Sequence, residues 1–270
     1  MLFVDTDPAA GIPFRDVDDV LALHLLVSAG EPVTVTTVYG NASGARTHAM
    51  ARELGDRWGI PVFRGADRPG QQDTAAVDAL VAHKGSVLGI GPCTNLAAAL
   101  ARGARWERLV LLGGTERRGP NVRYLRSTEL NFALDLPAAR RAMEACTTLF
   151  PMEVCRKVRF TASELPMLPP WLQERVRGWL RLGPWMTGGP GFHPWDVLPA
   201  LWLLEPAIFV TERRGPRLRP GRLERGALHF GAGAVEVVTD VEPARFLAAW
   251  RARLHMGGET NRPRSWDGVS

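Results

Sequence analysis

Leu2-Phe3-Val4-Asp5-Thr6-Asp7-Pro8 opens the chain, and after a seven-residue loop of Ala, Gly, Ile, Pro, Phe and Arg comes Asp16-Val17-Asp18-Asp19. A short apolar run that stops at acidic residues is typical of a buried parallel strand that delivers carboxylates to its carboxyl end. From Val20 onward the leucine spacing changes to one that suits a helix packed on a sheet. The stretch therefore predicts a strand, a loop and a helix.

Five carboxylates crowd this predicted junction: Asp5, Asp7, Asp16, Asp18 and Asp19. Like charges held this close repel by several kcal/mol at intermediate dielectric unless a cation neutralises them. Aspartate is also a common residue at helix starts, but capping explains one or two of the five. Because hard oxygen ligands suit Ca²⁺ or Mg²⁺ better than zinc, the cluster predicts a site for one of these ions.

Length and composition indicate one large α/β domain. The chain has 270 residues, 46% of them hydrophobic, and the predicted boundaries are one domain over residues 1–257 and a loose tail over 258–270. No apolar run approaches the ~20 residues that cross a bilayer, and no signal-peptide pattern precedes the first strand. The three cysteines are widely spaced and form neither a disulfide framework nor a zinc pattern. We expect a cytoplasmic protein without a membrane partner.

The charge is basic, with a net value of +5 and a pI of about 9.7, yet nearly all of it is arginine. The densest basic segment, residues 213–225, is interrupted by Pro216 and Pro220, as in surface β-turns. A nucleic-acid-binding protein more typically clusters basic residues on one element among aromatics, so we expect no nucleic-acid partner.

Apolar strands and helices alternate over the first 150 residues, which predicts a doubly wound, mostly parallel central sheet flanked by helices. Residues 207–239 predict a small antiparallel C-terminal addition, followed by a helix over 242–254. The predicted strands after the first cover residues 33–39, 62–63, 87–90 and 109–112. Because ligands bind outside the carboxyl ends of such strands, one crevice is expected to receive Asp5, Asp7, Asn41, the Ile90 carbonyl and the Gly113 loop.

Three local features complete the prediction. Thr94 or Asn95 is expected to cap the helix over 96–101, and Asp135 to start the helix over 138–145. Residues 183–194 are rich in Gly and Pro and predict a loop. Trp185 in that stretch and Trp195 directly after it are the aromatics best suited to stack on a ring.

Several stretches in order resemble the inosine–uridine-preferring nucleoside hydrolases, and the likeness covers most of residues 1–255. They are the two acidic motifs of the opening stretch, Thr37-Val38-Tyr39-Gly40-Asn41, Gly91-Pro92-Cys93-Thr94-Asn95-Leu96-Ala97, Leu112-Gly113-Gly114, Glu129-Leu130-Asn131, Asp135-Leu136-Pro137-Ala138-Ala139 and Trp195-Asp196. The resemblance implies hydrolysis of the N-glycosidic bond of ribonucleosides to ribose and free base. It also implies one bound Ca²⁺ and a homo-oligomer, a dimer or tetramer.

The resemblance implies a role for each matching position. Asp7, Asp19 and Asp196 with the Ile90 carbonyl would bind calcium, and Asp7 would be the general base for a calcium-bound water. Asp5 would support these ligands from behind. The remaining positions would hold the substrate: ribose hydroxyls by Asp18, Asn41 and Asn131, and the 5′-hydroxyl side by Asn121 and Glu129. Such roles suit the chemistry, because carboxylates and amide oxygens stabilise an oxocarbenium-like sugar.

The chain also departs from the family pattern. Its first loop, Ala9 to Arg15, is longer than the usual glycine turn, and a long segment with a histidine-bearing loop is missing between Gln71 and Gly91. Many members have a histidine directly before the last Asp as leaving-group acid. Here that position is Trp195, which resembles the purine-preferring branch, where an aromatic stacks on the base. His193 lies three residues before Asp196 and is the other candidate for that acid. We therefore expect purine nucleosides to be favoured, with an aromatic stacked on the base.

Two alternatives stay open. A strand followed by Asp-x-Asp also begins the haloacid-dehalogenase-type phosphatases, but Lys84 and Lys157 fit their phosphate-facing lysine poorly. A ribose- or nucleoside-binding module without turnover is the non-enzymatic alternative, against which the intact acidic set argues.

Overall fold

The structure is a computed structural model that describes residues 1–116, 129–219 and 225–258, without the side chains of 183–187 and 256–258. Its strands follow the apolar segments that the sequence predicts. They are β1 (Leu2–Thr6), β2 (Val33–Thr37), β3 (Val62–Phe63), β4 (Ser86–Gly89), β5 (Arg108–Leu112), β6 (Thr148–Phe150), β7 (Phe209–Leu218) and β8 (Leu228–Val241).

These strands form one eight-stranded sheet in the order β3-β2-β1-β4-β5-β6-β8-β7. Neighbours pair in parallel except β7 and β8, which are antiparallel at one edge. Strand order runs outward in one direction from β1 and in the other from β4, so the topological switch point lies between them. Ligands of doubly wound sheets bind at that point, outside the carboxyl ends of the strands.

Helices cover both faces of the sheet. They are α1 (Asp18–Ser28), α2 (Gly44–Trp58), α3 (Ala75–Ala82), α4 (Thr94–Ala101), α5 (Asn131–Leu134), α6 (Leu136–Ala145), α7 (Met152–Cys155), α8 (Pro170–Thr187), α9 (Val197–Leu204) and α10 (Pro243–Gly258), with 3₁₀ turns at Ala162–Met167 and Pro206–Ile208.

Alternate strand residues enter two separate cores, as the two-residue period of a strand requires. Val4 and Leu88 pack in the core that also holds α1, α9 and α10. Phe3 and Val87 point the other way, into the core under α3, α4 and α6. Because both faces are buried, the central strands are continuously apolar, which is the pattern that the sequence shows.

The predicted fold class is confirmed. The antiparallel pair is joined to the main sheet, because β8 pairs in parallel with β6 through Thr148 and Leu149. The predicted loop over 183–194 is wrong at its start, since α8 continues to Thr187 and places Trp185 within a helix.

The predicted caps of α4 are also wrong. Cys93 occupies the capping position and no side chain caps the helix there. The Thr94 hydroxyl donates instead to Asp135 at 2.7 Å, and the Asn95 amide donates to Asp5 at 2.8 Å. Asp135 caps α6 as predicted, accepting from the Ala138 amide at 3.2 Å.

Among the described residues, no helix has both the length and the apolar character needed to span a bilayer. The last helix, α10, extends to Gly258. The rest of the predicted tail, residues 259–270, lies outside the described ranges.

Candidate active site

The candidate active site is an open crevice where β1, β2, β4 and β5 end. Nine of the twelve residues predicted for the site line it: Asp7, Asp18, Asp19, Asn41, Ile90, Glu129, Asn131, Trp195 and Asp196. They come from segments far apart in sequence, and they meet because each follows the carboxyl end of a strand or begins a helix next to one.

The other three predicted residues stand differently. Asn121 lies outside the described residues, and the side chain of Trp185 is not described. His193 is buried and is not among the lining residues. Its Nδ1 lies 2.8 Å from the Val158 carbonyl oxygen, so Nδ1 carries the proton and Nε2 accepts from Arg159 at 3.2 Å. Burial lowers the pKa of His193 below its usual value.

Backbone amides fix the carboxylates of the crevice. Asp7 accepts from the amide of Asn41 at 2.5 Å, and Asp19 accepts from the amide of Asp7 at 3.1 Å and from the Thr6 hydroxyl. Asp18 accepts from the amide of Asp196 at 3.3 Å. The strand end and the start of α1 are therefore held together through these side chains.

Asp16 is a crevice residue that the sequence places in the acidic cluster without a role of its own. Its carboxylate accepts from the side-chain amide of Asn41, and it lines the crevice beside Phe14 and Arg15 of the same loop. Trp179 of α8 lines it as well and at the same time belongs to the core. The unusual length of the first loop was the signal in the sequence that its residues could line the crevice. No signal in the sequence pointed to Trp179, since a tryptophan on a helix usually indicates a core residue.

Electrostatics set this crevice apart from an ordinary acidic surface. Burial, then the neighbouring Asp19 carboxylate, raises the pKa of Asp18 to about 7. Burial and the surrounding aspartates likewise raise the pKa values of Asp7, Asp16 and Asp196 well above the usual range. Such shifts mean that the folded chain by itself disfavours the full set of negative charges.

The donor set fits a hard divalent cation. Asp16, Asp18 and Asp19 each offer an oxygen, and these three atoms lie within 4.8 Å of one another. Asp18 Oδ1 is buried and has no hydrogen-bond partner among the described residues. This trio differs from the predicted set of Asp7, Asp19, Asp196 and Ile90, of which it shares only Asp19, although all four predicted ligands line the same crevice.

Asn131 is oriented by the ends of β4 and β5, and Glu129 by the start of α5. The Asn131 Nδ2 donates to the carbonyls of Ile90 at 3.0 Å and Leu112 at 3.2 Å, which leaves Oδ1 as its free acceptor. Glu129 accepts from the Phe132 amide at 2.8 Å, and its other oxygen is buried without a partner among the described residues. Burial raises the pKa of Glu129 to about 7.

Asp5 does not line the crevice, contrary to the expectation from its strand-end position. It accepts from Thr36 at 2.7 Å and from Asn95 at 2.8 Å, which ties β1 to β2 and α4 behind the site. Burial raises the pKa of Asp5 to about 7. Asp5 therefore supports the strand ends without facing a ligand.

The fold is that of a doubly wound α/β protein, and the crevice at its switch point carries an acidic cluster of the kind that can hold a metal ion. The sequence profile of the inosine-uridine preferring nucleoside hydrolases matches residues 2–248, and the chain belongs to that family. It is accordingly a hydrolase that acts on ribonucleosides. This assignment removes the phosphatase alternative.

Solved structures of the same fold include several nucleoside hydrolases, three of which follow. A plant nucleoside hydrolase has a TM-score of 0.78 at 19% identity, with 94% of this chain and 98% of that one covered. A purine-preferring ribonucleoside hydrolase from Gardnerella vaginalis has a TM-score of 0.77 at 18% identity, covering 96% and 99%. An inosine-uridine preferring nucleoside hydrolase from Bacillus anthracis has a TM-score of 0.73 at 19% identity, with 95% of this chain and 99% of that one covered. No curated protein sequence matches the chain.

Proposed function

We propose that the protein cleaves the N-glycosidic bond of ribonucleosides, purine nucleosides in preference, and that its carboxylates hold Ca²⁺. The observation that carries the proposal is the convergence of buried aspartates, two asparagines and a tryptophan in one crevice. Carboxylate and amide groups suit a sugar that develops positive charge, and an aromatic face suits the base.

The cation is proposed to be held by Asp7, Asp19 and Asp196 with the Ile90 carbonyl. A bound Ca²⁺ supplies positive charge that keeps these carboxylates ionised and makes water easier to deprotonate. Ca²⁺ takes six to eight oxygen ligands, so these four groups would leave positions for water or ribose hydroxyls. Asp7 is the proposed general base because its carboxylate is fixed by the Asn41 amide at the end of β1.

The sugar is proposed to lie against the amide oxygens and Asp18. The Nδ2 atoms of Asn41 and Asn131 are already used within the protein, so each side chain presents Oδ1 to accept a ribose hydroxyl. Asp18 keeps one unpartnered oxygen for the same purpose or for the cation. Glu129, buried beside Asn131, is the proposed contact on the 5′-hydroxyl side.

The base is proposed to leave with help from Trp195. A stacked aromatic contributes on the order of 1 kcal/mol beyond area burial, and a purine offers N7 for protonation. His193 is the weaker candidate for the acid, since both of its ring nitrogens are engaged away from the crevice.

The test is a panel of purine and pyrimidine nucleosides assayed for reducing sugar, with chelator and with Ca²⁺ or Mg²⁺ restored. We expect ribose from inosine and guanosine, less from uridine and cytidine, loss of turnover with chelator, and better recovery with Ca²⁺. Binding of inosine in calorimetry with no base released would identify a nucleoside-binding module instead. Assembly as a dimer or tetramer and location in the cytoplasm stay predictions of the sequence.

A further inference from the structure

The loop between β1 and α1 places one aromatic residue in an unfavourable backbone conformation. Ile12 donates its amide to Ala9 at 3.0 Å, and Arg15 donates to Ile12 at 3.2 Å, so Pro13 and Phe14 are the central residues of the second turn. Phe14 has φ of +62°, the only positive φ outside glycine among the described residues. Proline followed by positive φ is the pattern of a type II turn, whose third position favours Gly or Asn.

The side chain of Phe14 is also poorly placed for folding. It is 73% exposed, so its ring contributes little to either core. A bulky residue in the left-handed region is strained, and such strain concentrates at ligand-binding sites. Folding alone therefore explains neither the backbone conformation of Phe14 nor its exposure.

The position of Phe14 indicates what the ring contacts. It lines the mouth of the crevice, together with Trp179 and Trp195. Two residues later, Asp16 binds the side-chain amide of Asn41, so the same loop contacts the sugar side of the site. Phe14, Trp179 and Trp195 are the aromatic residues among those that line the crevice, and the base is the aromatic part of a nucleoside whose ribose lies against Asn41.

We propose that Phe14 is a base-binding residue whose ring packs on the nucleobase and covers it from solvent. This inference rests on the proposed function of the crevice. Phe14 would supply affinity for the aromatic base and none for the sugar, and its place in the turn would trade loop stability for that contact.

The experiment compares the Ca²⁺-loaded wild-type protein with Phe14→Gly and Phe14→Tyr. Inosine Kd is measured by calorimetry in an Asp7→Asn background, in which turnover is slowed. KM comes from hypoxanthine release followed by absorbance, and the inhibition constant of free ribose comes from the same absorbance assay. We expect Phe14→Gly to raise the Kd of inosine by about 5- to 10-fold, the range of one lost aromatic contact. The inhibition constant of ribose should stay within about two-fold of wild type, and Phe14→Tyr should bind inosine like wild type. The Tm of Phe14→Gly should not fall, because Gly suits the turn.

Val210→Ala is the matched control, since Val210 is another exposed apolar residue, 54% accessible on β7 and away from the crevice. It should change neither inosine nor ribose binding. An unchanged inosine Kd in Phe14→Gly would overturn the proposal, as would equal losses for inosine and ribose, which would indicate a loop that only holds Asp16. Inosine binding without base release would refute the proposed hydrolysis, and the inosine Kd of Phe14→Gly would still test the base-binding role of Phe14. Absence of any nucleoside binding would refute both the hydrolysis and the role of Phe14.

Discussion

Asp7 is the residue on which the proposed chemistry depends most directly. Its carboxylate meets the Asn41 amide, while burial and the neighbouring Asp19 carboxylate raise its pKa. Asp7→Asn keeps the size of the side chain and removes its basicity and one charge. We expect kcat for inosine at saturating Ca²⁺ to fall by about 10²-fold or more, the usual scale for loss of a general base, with a smaller change in KM.

The control for Asp7 is Asp56→Asn, the same chemical change at a carboxylate that is 75% exposed on α2. It should leave kcat and KM at wild-type values. Turnover of Asp7→Asn within a few-fold of wild type would remove Asp7 from the role of base.

Trp195 and His193 separate two ways to help the base depart. The Trp195 ring lines the crevice, whereas the His193 ring is bound to Val158 and Arg159. We expect Trp195→Ala to lower kcat/KM for inosine far more than for nitrophenyl riboside, whose leaving group needs no protonation, and Trp195→Phe, which keeps an aromatic face, to lower it less. His193→Ala should change either value little.

Circular dichroism and Tm accompany these measurements, because Trp195 is 9% exposed and its truncation also removes core contacts. Equal losses on both substrates would mean that Trp195 only shapes the crevice. A selective loss in His193→Ala would return the acid role to the histidine.

At the scale of elements, sequence rules succeeded where the partner is local. Asp135 caps α6 through an amide three residues away, and a local motif is enough to find such a contact. Thr94 and Asn95 satisfy the same local rule, yet their partners lie 41 and 90 residues away in sequence. A cap and a long-range hydrogen bond use the same atoms, and a local pattern cannot distinguish them.

The turn after β2 is an element whose geometry controls Asp7. A Cβ built on Gly40 would lie 2.0 Å from Asp7 Oδ2 and 2.9 Å from the Pro92 ring. Gly40→Ala must therefore displace the Asp7 carboxylate or the turn. We expect turnover of inosine to fall at least about 10-fold and Ca²⁺ affinity in calorimetry to weaken, since an ångström of misplacement is enough for losses of this size.

Gly178→Ala controls for the substitution itself. Gly178 is exposed on α8 with nothing near its added methyl group, so the change should leave activity intact and stabilise the helix by about 0.5–1 kcal/mol. Wild-type turnover in Gly40→Ala would show that Asp7 and its turn can shift without loss.

At the scale of the whole molecule, parallel topology made the site predictable and the longer loop limited the prediction. Asn41 and Ile90 reach one crevice because parallel strands end at one edge of the sheet. Asn131 begins α5, 19 residues beyond Leu112 of β5, and was expected there from the family resemblance. Phe14 and Asp16 reach it through a loop whose path depends on two turns. No periodicity describes such a path, so the place of Phe14 and the contact of Asp16 with Asn41 emerged only from the structure.

Buried carboxylates make the stability of the whole protein depend on pH and cation together. Burial raises the pKa values of Asp5, Asp18 and Glu129 to about 7, above the values of an unfolded chain. The folded protein then holds more protons than the unfolded one, so this stabilisation is complete at low pH and is lost as pH rises through about 7. With chelator present, we expect Tm to fall between pH 7 and 8, a window in which unfolded histidines are already about three-quarters neutral or more.

Added Ca²⁺ should reverse this trend, because a cation favours the ionised carboxylates. At 100 times its Kd the ion adds about 2.7 kcal/mol, a Tm rise of roughly 5–10 °C for a chain of this size. At one fixed Ca²⁺ concentration the rise should be larger at pH 8 than at pH 6.5, because Kd is lower where the carboxylates are ionised. Asp5→Asn separates the contribution of Asp5, which does not line the crevice, to the pH dependence of Tm. Because an amide stays neutral, the fall in Tm with chelator should become shallower, while the rise in Tm on adding Ca²⁺ should persist. Scanning calorimetry in matched buffers measures all of these values. A Tm that rises with pH in chelator, or a Ca²⁺ shift that is larger at pH 6.5, would show that the crevice carboxylates are ionised before any cation arrives.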